Sequence, residues 1–362
     1  MMRICIDLTS LADNFSGIER FALSITKELI KRKEHHWILL FKNTIHEEFE
    51  NTEINIEKVI IKGNNKLIFN QIILPLNLLK IKAERFFFPA FPAPFFFFNR
   101  NTYNTIHDLS CWDCPQSNKK YMILYFKIMY WKASLNDKKI ITVSQFSKDR
   151  ICSILHVKPE NITVIYNGIS NHFNNKKVTE EEKKKIQKKY NLPKNYVLCL
   201  STLEPRKNLK LLLDAYTILY DQGNVYEIVL AGRRGWKMEN FLGNYNECFL
   251  KHVHFTGFIE DEDLPVVYKL ADIFVFPSLY EGFGIPPLEA VACGTPVISS
   301  DAASLPEILG NNVRYFKSED IMSLQEAIKN YNLKKTVNIN NKELSKFNWK
   351  LQSQILIEKI SL

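Results

Sequence analysis

Short apolar runs alternate with longer amphipathic segments along almost the whole chain. The short runs are rich in Ile, Val, Leu and Phe, which is typical of strands buried on both faces of a parallel sheet. The longer segments have the apolar spacing of helices, so the alternation predicts βαβ units. In the first half of the chain we predict strands at 3–7, 37–41, 85–88, 104–107, 139–144 and 162–167, and helices at 18–31, 119–135 and 145–155.

The alternation breaks at residues 171–189, which are polar and contain three lysine runs. Thr179-Glu-Glu-Glu182 within them has the spacing of a capping box, which predicts the start of a short helix. Beyond this stretch we predict strands at 196–201, 226–231, 252–257, 273–277, 296–300 and 313–316, and helices at 208–222, 263–269, 287–293 and 322–331. The chain is therefore predicted to be an α/β protein with two Rossmann-like, doubly wound domains facing a cleft. The predicted boundaries are 1–172 for the N-terminal domain, 173–190 for a linker and 191–340 for the C-terminal domain.

The composition is that of a globular protein with more than one domain. The 362 residues exceed the usual size of one hydrophobic core, and 46% of them are hydrophobic and 24% charged. No apolar run reaches the roughly 18 residues of a spanning helix, and the first residues are typical of a strand rather than a signal peptide, so we expect a cytoplasmic protein. The net charge of +9 favours anionic partners. No nucleic-acid-binding motif accompanies it, and we expect no nucleic-acid partner.

Two short motifs have the spacing of metal ligands. Cys111-Trp-Asp-Cys114 lacks a second pair or a His cluster, and the odd total of seven cysteines favours reduced thiols without a chemical role. Asp261-Glu262-Asp263 is similar to a metal motif of some sugar transferases, but it precedes a helical segment that these acids can cap. We therefore predict no metal site.

The clearest candidate site is the segment Glu281-Gly-Phe-Gly-Ile-Pro-Pro-Leu-Glu289, which follows an apolar strand and leads into a helix. The first N–H groups of a helix have no internal partner, so a strand, a glycine loop and a helix form an anion site. The two prolines fit the first helical turn, where a missing N–H costs little. This arrangement suits a sugar-nucleotide, with diphosphate on the N–H groups and hydroxyls on Glu281 and Glu289. A glycine–proline turn with solvated acids is the alternative.

A second candidate site is the loop that carries Arg206 and Lys207, before a helix that Asn208 can cap. Two cations at the positive end of a helix dipole repel it, so they indicate a bound anion.

Weaker signals follow other predicted strands. Gly17 allows close approach of the backbone to a phosphate or sugar. His107 can donate a hydrogen bond or move protons. Phe258 and Ile259 can form a wall of a base or ribose pocket. A plain turn, a structural histidine and an ordinary loop are the respective alternatives.

Eight motifs occur in a fixed order along the chain, and together they identify a family. They are Ser16-Gly17-Ile18, Thr105-Ile-His107-Asp108-Leu109, Val143-Ser-Gln-Phe-Ser147, Asn167-Gly168-Ile169, Glu204-Pro-Arg-Lys-Asn208, Glu281 through Glu289, Asp301-Ala-Ala-Ser-Leu-Pro-Glu307 and Phe347-Asn-Trp349. In this order they resemble the family 4 glycosyltransferases, which are metal-independent retaining enzymes of the GT-B fold. The resemblance covers nearly the whole chain and is strongest over 200–308. Glu19 stands where the family often has a second glycine, and Thr202 stands where many members have an arginine whose charge Arg206 can supply.

The resemblance implies a role for each candidate residue. Lys207 with Arg206 would hold the donor diphosphate and stabilise its charge as it leaves. Glu289 would bind the ribose hydroxyls, and Glu281 would contact the transferred sugar. His107 would contact the sugar or the diphosphate near the acceptor. Further donor contacts would come from the backbone of Phe283, Gly284 and Ile285, and from Gly17. The C-terminal helix within 341–362 would pack back on the N-terminal domain.

The implied activity is retaining transfer of a hexose, with mannose favoured, to a glycan or a lipid-linked glycan in surface polysaccharide or lipopolysaccharide synthesis. The Glu-Pro-Arg-Lys-Asn motif favours GDP-mannose over UDP-sugars as the donor substrate, and no cofactor is expected. Two alternatives are a nucleotide-sugar epimerase on the same fold and a catalytically inactive sugar-nucleotide binder.

Residues 86–98 combine phenylalanines with three prolines, which forbid a helix, and they are too short to span a bilayer. Together with the aromatic and basic residues 119–132 they predict a peripheral contact with the inner face of the plasma membrane and its lipid-linked acceptor. A buried core segment with a loop tip is the alternative.

Overall fold

The computed structural model describes residues 1–11, 17–52, 56–117, 119–135, 139–174, 177–202, 204–233, 242–330 and 341–362. The chain divides into two compact units, Met1–Gly168 with Lys346–Leu362, and Ile169–Ser345. The strands are β1 (Met2–Asp7), β2 (His35–Lys42), β3 (Ile56–Ile61), β4 (Arg85–Phe88), β5 (Thr102–Thr105), β6 (Ile140–Thr142), β7 (Ile162–Val164), β8 (Val197–Leu200), β9 (Ile228–Ala231), β10 (Val253–Gly257), β11 (Ile273–Phe276), β12 (Val297–Ser300) and β13 (Arg314–Phe316).

The helices surround two parallel sheets, one in each unit. They are α1 (Gly17–Leu29), α2 (Lys66–Ile68), α3 (Leu74–Leu78), α4 (Ser110–Asp113), α5 (Lys120–Ser134), α6 (Gln145–Leu155), α7 (Glu180–Tyr190), α8 (Leu209–Asp221), α9 (Glu247–Leu250), α10 (Leu264–Leu270), α11 (Ile285–Ala292), α12 (Leu305–Leu309), α13 (Ile321–Lys329), α14 (Asn341–Leu344) and α15 (Trp349–Ser361). The predicted fold class, two parallel-sheet α/β domains, is confirmed.

The first unit contains a seven-stranded sheet in the order β3-β2-β1-β4-β5-β6-β7. The strand order changes direction between β1 and β4, where Ile4 pairs with Arg85. At such a switch point the loops after the two strands separate, which leaves room for a ligand at their carboxyl ends.

The C-terminal segment belongs to the first unit, because α15 packs against α1. The side chain of Gln352 accepts a hydrogen bond from the Tyr166 amide and donates one to the Lys346 carbonyl. A Cβ atom on Gly168 would lie 2.5 Å from the Trp349 ring, so only glycine fits there. This contact explains why the motifs Asn167-Gly168-Ile169 and Phe347-Asn-Trp349 occur together.

The second unit contains a six-stranded parallel sheet in the order β10-β9-β8-β11-β12-β13. Every residue of β9, β11 and β12 is buried, as expected for strands covered by helices on both faces. Here the switch point lies between β8 and β11, and the loops after these strands carry the two strongest candidate motifs.

The structure contains elements that the sequence analysis did not predict, among them the short helices α4, α9 and α12, and three larger differences follow. Strand β3 was not predicted, because it lies at the sheet edge and several of its residues are half exposed, which blurs its apolar pattern. The segment 66–78, formed by α2, a π-helical turn at Phe69–Ile73 and α3, was also not predicted. Helix α7 does begin at the predicted capping box of Thr179, but it packs on α10 within the second unit rather than forming a linker.

Half of the eight phenylalanines in residues 86–98 are core residues. Those of β4 are buried, and so is Phe97, whereas Phe96 and Phe98 are exposed. Within the described residues, no helix combines the length and the apolar character needed to cross a bilayer.

Candidate functional site

The loops after β8 and β11 meet at the switch point of the second sheet and bring three predicted residues together. Lys207 Nζ lies 2.6 Å from Oε1 of Glu281, and Arg206 Nη1 lies 3.1 Å from Oε2 of the same carboxylate. Sequence reasoning placed these residues on two separate loops. The parallel pairing of β8 with β11 is what makes them neighbours.

Glu281 is a buried carboxylate with opposite charges on both of its oxygens. Burial by itself raises the pKa of this carboxyl, but the charges of Arg206 and Lys207 outweigh it, and the pKa falls to about 2. Glu281 is therefore ionised throughout the physiological range. The Lys207 ammonium also lies 5.4 Å from the centre of the Phe276 ring, which forms an apolar floor beneath it.

Arg206 connects the two loops. Its Nε and Nη2 atoms donate to Glu204 Oε1 at 3.2 and 2.9 Å, and its Nη1 donates to the Tyr280 carbonyl at 2.7 Å as well as to Glu281. Each of its three nitrogens is thus engaged by protein oxygens. This geometry favours Arg206 as the residue that positions Glu281, and Lys207 as the cation presented to a ligand.

Buried serines, which sequence reasoning missed, fix the Glu281 loop. Ser278 Oγ donates to Glu281 Oε1 at 2.6 Å, and Ser304 Oγ donates to the Glu281 carbonyl at 2.9 Å. Ser300 Oγ in turn donates to the Ser278 carbonyl at 2.6 Å. All three residues are fully buried. For Ser278, the signal in the sequence was its position just beyond the apolar strand β11, where a buried hydroxyl needs a partner.

The glycine loop leads directly into α11, as predicted. Gly284 precedes the helix with a φ of 95°, and a Cβ atom there would lie 2.6 Å from Leu305 Cδ2. Both the left-handed backbone and the close contact require glycine. Pro286 and Pro287 lie in the first turn, and the backbone of Phe283, Gly284 and Ile285 forms the entry to the helix.

Glu289 lies one turn further along α11 and is buried. Tyr268, which is fully buried on α10, donates its hydroxyl hydrogen to Glu289 Oε2 at 3.1 Å. Tyr268 was not identified from the sequence. It fixes the orientation of the carboxylate predicted to bind ribose.

Phe258 and Ile259 follow β10, two strands away from β8 in the sheet. Ile259 is buried, whereas Phe258 is exposed and the Arg233 guanidinium lies 4.5 Å from the centre of its ring. A pocket wall at Phe258 stays a prediction.

His107 and Gly17 belong to the first unit. His107 follows β5, is buried, and its Nε2 lies 2.9 Å from the Pro89 carbonyl after β4. Burial lowers the pKa of His107 to about 4, although the Pro89 carbonyl and Asp108 act in the opposite direction. The imidazole is therefore neutral at pH 7. Because a carbonyl only accepts, Nε2 carries the proton and Nδ1 presents a lone pair.

Gly17 begins α1, on which Phe21 makes an edge contact with His107, with 5.1 Å between the ring centres. Residues 12–16, including Ser16, lie outside the described residues.

Two expected helix caps are wrong. The side chain of Asn208 makes no capping hydrogen bond, and its φ of 53° instead turns the chain from the 3₁₀ turn Pro205–Lys207 into α8. The side chain of Asp263 makes no cap either, because it accepts hydrogen bonds from Lys189 Nζ at 2.5 Å and the Tyr190 hydroxyl at 2.7 Å, joining α7 to α10.

Cys111 and Cys114 are both buried free thiols. In the described part of the chain, no three His, Cys, Asp or Glu side chains are grouped so that they could hold a metal ion.

Comparisons with known proteins cover both units. Residues 15–172 match the family Glycosyltransferase Family 4, and residues 180–343 match the family Glycosyl transferases group 1. The chain is 29% identical over 354 residues to O-antigen chain mannosyltransferase B of Escherichia coli, which spans 90% of this chain and 91% of the relative. It is 32% identical over 231 residues to O-antigen chain mannosyltransferase RfbU of Salmonella typhimurium, 64% of this chain and 61% of the relative.

Among solved structures, HepE from Anabaena in complex with UDP and glucose is similar over the full length of both chains, with a TM-score of 0.73 and 18% identity. This similarity extends the fold assignment to the GT-B type. Together with the two family matches and the O-antigen relatives, this fold agrees with the family that the sequence motifs indicate. The chain belongs to glycosyltransferase family 4 and is a glycosyltransferase that resembles the O-antigen mannosyltransferases.

Proposed function

We propose that this glycosyltransferase transfers a hexose, with mannose favoured, from a nucleotide diphosphate sugar to a glycan or lipid-linked glycan in surface polysaccharide synthesis, with retention of configuration. GDP-mannose is favoured over a UDP-sugar as the donor. The relatives named as O-antigen chain mannosyltransferases support the sugar and the pathway class. HepE was solved with UDP and glucose, so a UDP-sugar is the competing donor.

The observation that carries the proposal is the cluster of Arg206, Lys207 and Glu281 at the switch point of the second sheet. Removing charges from water is costly, and each buried cation needs a partner. Arg206 pairs with Glu204 as well as Glu281, whereas Glu281 is the one carboxylate that pairs with Lys207 among the described residues, and Lys207 shares it with Arg206. A ligand with negative charge next to Lys207 gives this ammonium a partner of its own. A diphosphate has that charge, and oxygens that accept from an ammonium.

The chemistry of transfer then follows from where charge develops. When the bond between the sugar and the diphosphate breaks, negative charge grows on the leaving oxygen. A fixed cation in a partly desolvated site stabilises this charge without reorganising, which makes Lys207 the main electrostatic contributor. The Lys207 side chain is 12% exposed, so it is desolvated but reachable.

The other residues keep the roles that the family resemblance implies. The entry to α11 supports the phosphates with backbone N–H groups, although the prolines remove two of them. Glu289 binds the ribose hydroxyls and Glu281 the transferred sugar. His107 contacts the sugar or the diphosphate, and its neutral ring accepts a hydrogen bond from a hydroxyl through Nδ1.

The test is turnover of GDP-mannose and UDP-glucose by the purified protein, with and without a membrane fraction that contains lipid-linked glycan acceptors. We expect mannose from GDP-mannose in the lipid-linked fraction, and the anomeric proton of the product to report the same configuration as in the donor. A changed sugar nucleotide without acceptor would indicate an epimerase. Donor binding without any product, in the presence of acceptor, would indicate an inactive binder, and either result would overturn the proposal.

A further inference from the structure

Helix α5 exposes a continuous apolar stripe to solvent. The residues recur every three or four positions, so they lie along one side of the helix, and between 44% and 68% of each is exposed. A helix of a globular protein normally buries its apolar side, so an exposed stripe of this length indicates an interaction surface. Its members are Tyr121, Leu124, Ile128 and Trp131, with Leu135 just after the helix.

A second apolar stripe runs along residues 67–79, the segment that sequence reasoning did not identify. Between 48% and 69% of each of these side chains is exposed. The members are Leu67, Ile68, Ile72, Leu76 and Leu79.

The two stripes are neighbours. Gln71 Nε2 donates to the Tyr125 hydroxyl at 2.9 Å, and Gln71 Oε1 accepts from the Phe95 amide at 3.0 Å. Lys132 Nζ donates to the Pro94 and Phe97 carbonyls at 3.0 and 2.6 Å. These bonds fix the loop of exposed Phe96 and Phe98 beside both helical segments. We call this combined surface, formed by the two stripes with Phe96 and Phe98, the apolar face.

The charges around the apolar face have one sign. Neither residues 62–82 nor residues 119–135 contain Asp or Glu, and together they contain eight lysines. Trp and Tyr within the face are the side chains that prefer the boundary between hydrocarbon and water. The lysines are Lys62, Lys66, Lys80, Lys82, Lys119, Lys120, Lys127 and Lys132.

We propose that the apolar face docks the first unit on a membrane surface of anionic lipids, with α5 lying in the plane of the interface. The apolar side chains enter the boundary of the acyl chains while the exposed lysines, which are the eight without Lys127 and Lys132, contact lipid phosphates. Helix α5 has 15 residues and is about 22 Å long, which is too short to span the hydrocarbon core of about 30 Å. The docking surface is therefore the two stripes with Phe96 and Phe98, and not the whole of residues 86–98.

Charge also argues against a second copy of the chain as the occupant. In a two-fold dimer the same surface faces itself, so the lysines of one copy would oppose those of the other. Like charges brought together in this way weaken an interface, whereas an anionic lipid surface attracts all of them.

The experiment is co-sedimentation of the full chain with vesicles of phosphatidylcholine alone and of phosphatidylcholine with phosphatidylglycerol. We expect at least about tenfold stronger binding to the anionic vesicles, weakened by salt. The triple variant Ile72→Ser/Leu124→Ser/Trp131→Ser should lose about tenfold or more of this binding, because each side chain contributes burial of apolar area. The matched control Ile218→Ser/Val225→Ser/Met322→Ser changes exposed apolar residues of the second unit and should bind like the unchanged protein.

A lysine variant separates the two contributions. Lys66→Gln/Lys80→Gln/Lys120→Gln removes three of the eight lysines, so it should bind less to anionic vesicles and show a weaker salt dependence, while binding to neutral vesicles stays unchanged. The proposal is overturned if the unchanged protein binds neither vesicle, or if the apolar triple variant binds as well as the control. It is also overturned if the protein is a dimer that the apolar variant dissociates without any vesicle binding. Donor binding, measured separately, reports on the second unit and does not depend on this result.

Discussion

Lys207 and Glu281 lie on loops that follow two adjacent strands of the second sheet, and their Nζ and Oε1 atoms are 2.6 Å apart. The same carboxylate accepts from Arg206 through its other oxygen at 3.1 Å. In the free protein, one buried carboxylate therefore faces two cations. A diphosphate that reaches Lys207 competes with Glu281 for the same ammonium, and this competition determines what each substitution should do.

Replacing Glu281 with glutamine should destabilise the free protein by about 3–5 kcal/mol, because the partly buried Lys207 loses its carboxylate partner and Arg206 keeps only Glu204. A bound nucleoside diphosphate restores a negative charge, so GDP should recover part of this loss. Urea unfolding with and without GDP measures both effects. The exposed Glu326→Gln on α13 serves as the control and should change stability by less than about 0.5 kcal/mol. An unfolding free energy for Glu281→Gln equal to that of the unchanged protein would contradict the ion cluster.

Tyr268 should affect ribose binding through Glu289. Tyr268→Phe removes the hydroxyl that donates to Glu289 Oε2 and leaves the buried ring in place. We expect affinity for GDP to fall about tenfold, since a hydrogen bond to a charged group contributes about 1.5–3 kcal/mol. Affinity for inorganic diphosphate, which has no ribose, should not change. Calorimetric titration of both ligands checks this, and an equal loss for the two would show that Tyr268 acts on the fold rather than on Glu289.

Gly284 should be intolerant of a side chain for two separate reasons. Gly284→Ala places a Cβ atom 2.6 Å from Leu305 in a backbone of φ 95°. Gly223→Ala is the matched control, because φ is 85° there and no atom lies within 4 Å of the added carbon. The control should cost about 1–2 kcal/mol, from the left-handed backbone alone. Gly284→Ala should cost measurably more and weaken donor binding. Equal losses in thermal unfolding of the two variants would remove the steric argument for the glycine loop.

The lowered pKa of His107 predicts a specific dependence of stability on pH. Its folded-state pKa of about 4 is below the ordinary value of 6.5, so the folded chain binds fewer protons than the unfolded chain between these values. Stability should therefore fall as the pH decreases from 6.5 to 4, by up to about 3 kcal/mol from this group at 1.36 kcal/mol per pKa unit. Glu281 acts in a lower window: its pKa of about 2 gives a stabilisation present above about 4.5 and lost as the pH falls towards 2.

The two windows can be separated by mutation. His107→Gln should flatten the slope of unfolding free energy between pH 6.5 and 4 and leave the lower window unchanged. His36→Gln, a partly exposed histidine on β2, is the control and should keep the original slope. If the slope between pH 6.5 and 4 is the same in His107→Gln and the unchanged protein, the buried neutral histidine is wrong.

Much of the fold could be predicted from the sequence because its strands are continuous apolar runs. Strands such as β11 and β9 are buried on both faces, so all of their residues are apolar and the runs are easy to recognise in the sequence. Strand β3 was not predicted, because an edge strand is only partly buried and its apolar pattern is interrupted. The segment 66–78 was not predicted, because many of its apolar side chains are exposed and do not follow the pattern of a helix with one face packed on a core. The apolar pattern of the sequence therefore identifies strands and helices that pack in the core, and it does not identify those at the edge of a sheet or at the surface.

The candidate site was predictable as separate loops but not as a cluster. The glycine loop and the Arg206–Lys207 pair each have a local signal. The contact of Lys207 with Glu281 depends on the order of strands in the sheet, which the sequence does not display. The hydrogen bonds of Ser304 and Tyr268 join residues that lie more than 20 positions apart, so no spacing rule identifies them.

The most direct test of the central claim is the thermal stabilisation of the protein by GDP-mannose in two lysine variants. Lys207→Met removes the cation beside Glu281. Lys210→Met removes an exposed lysine that lies three residues after Lys207 and pairs with Asp214. At a donor concentration about a hundredfold above Kd, the unchanged protein should gain roughly 2.7 kcal/mol, which for a chain of 362 residues raises Tm by roughly 3–4 °C. We expect Lys210→Met to keep this rise and Lys207→Met to lose most of it. Full stabilisation of Lys207→Met, or no stabilisation of the unchanged protein by any nucleotide diphosphate sugar, would contradict the account.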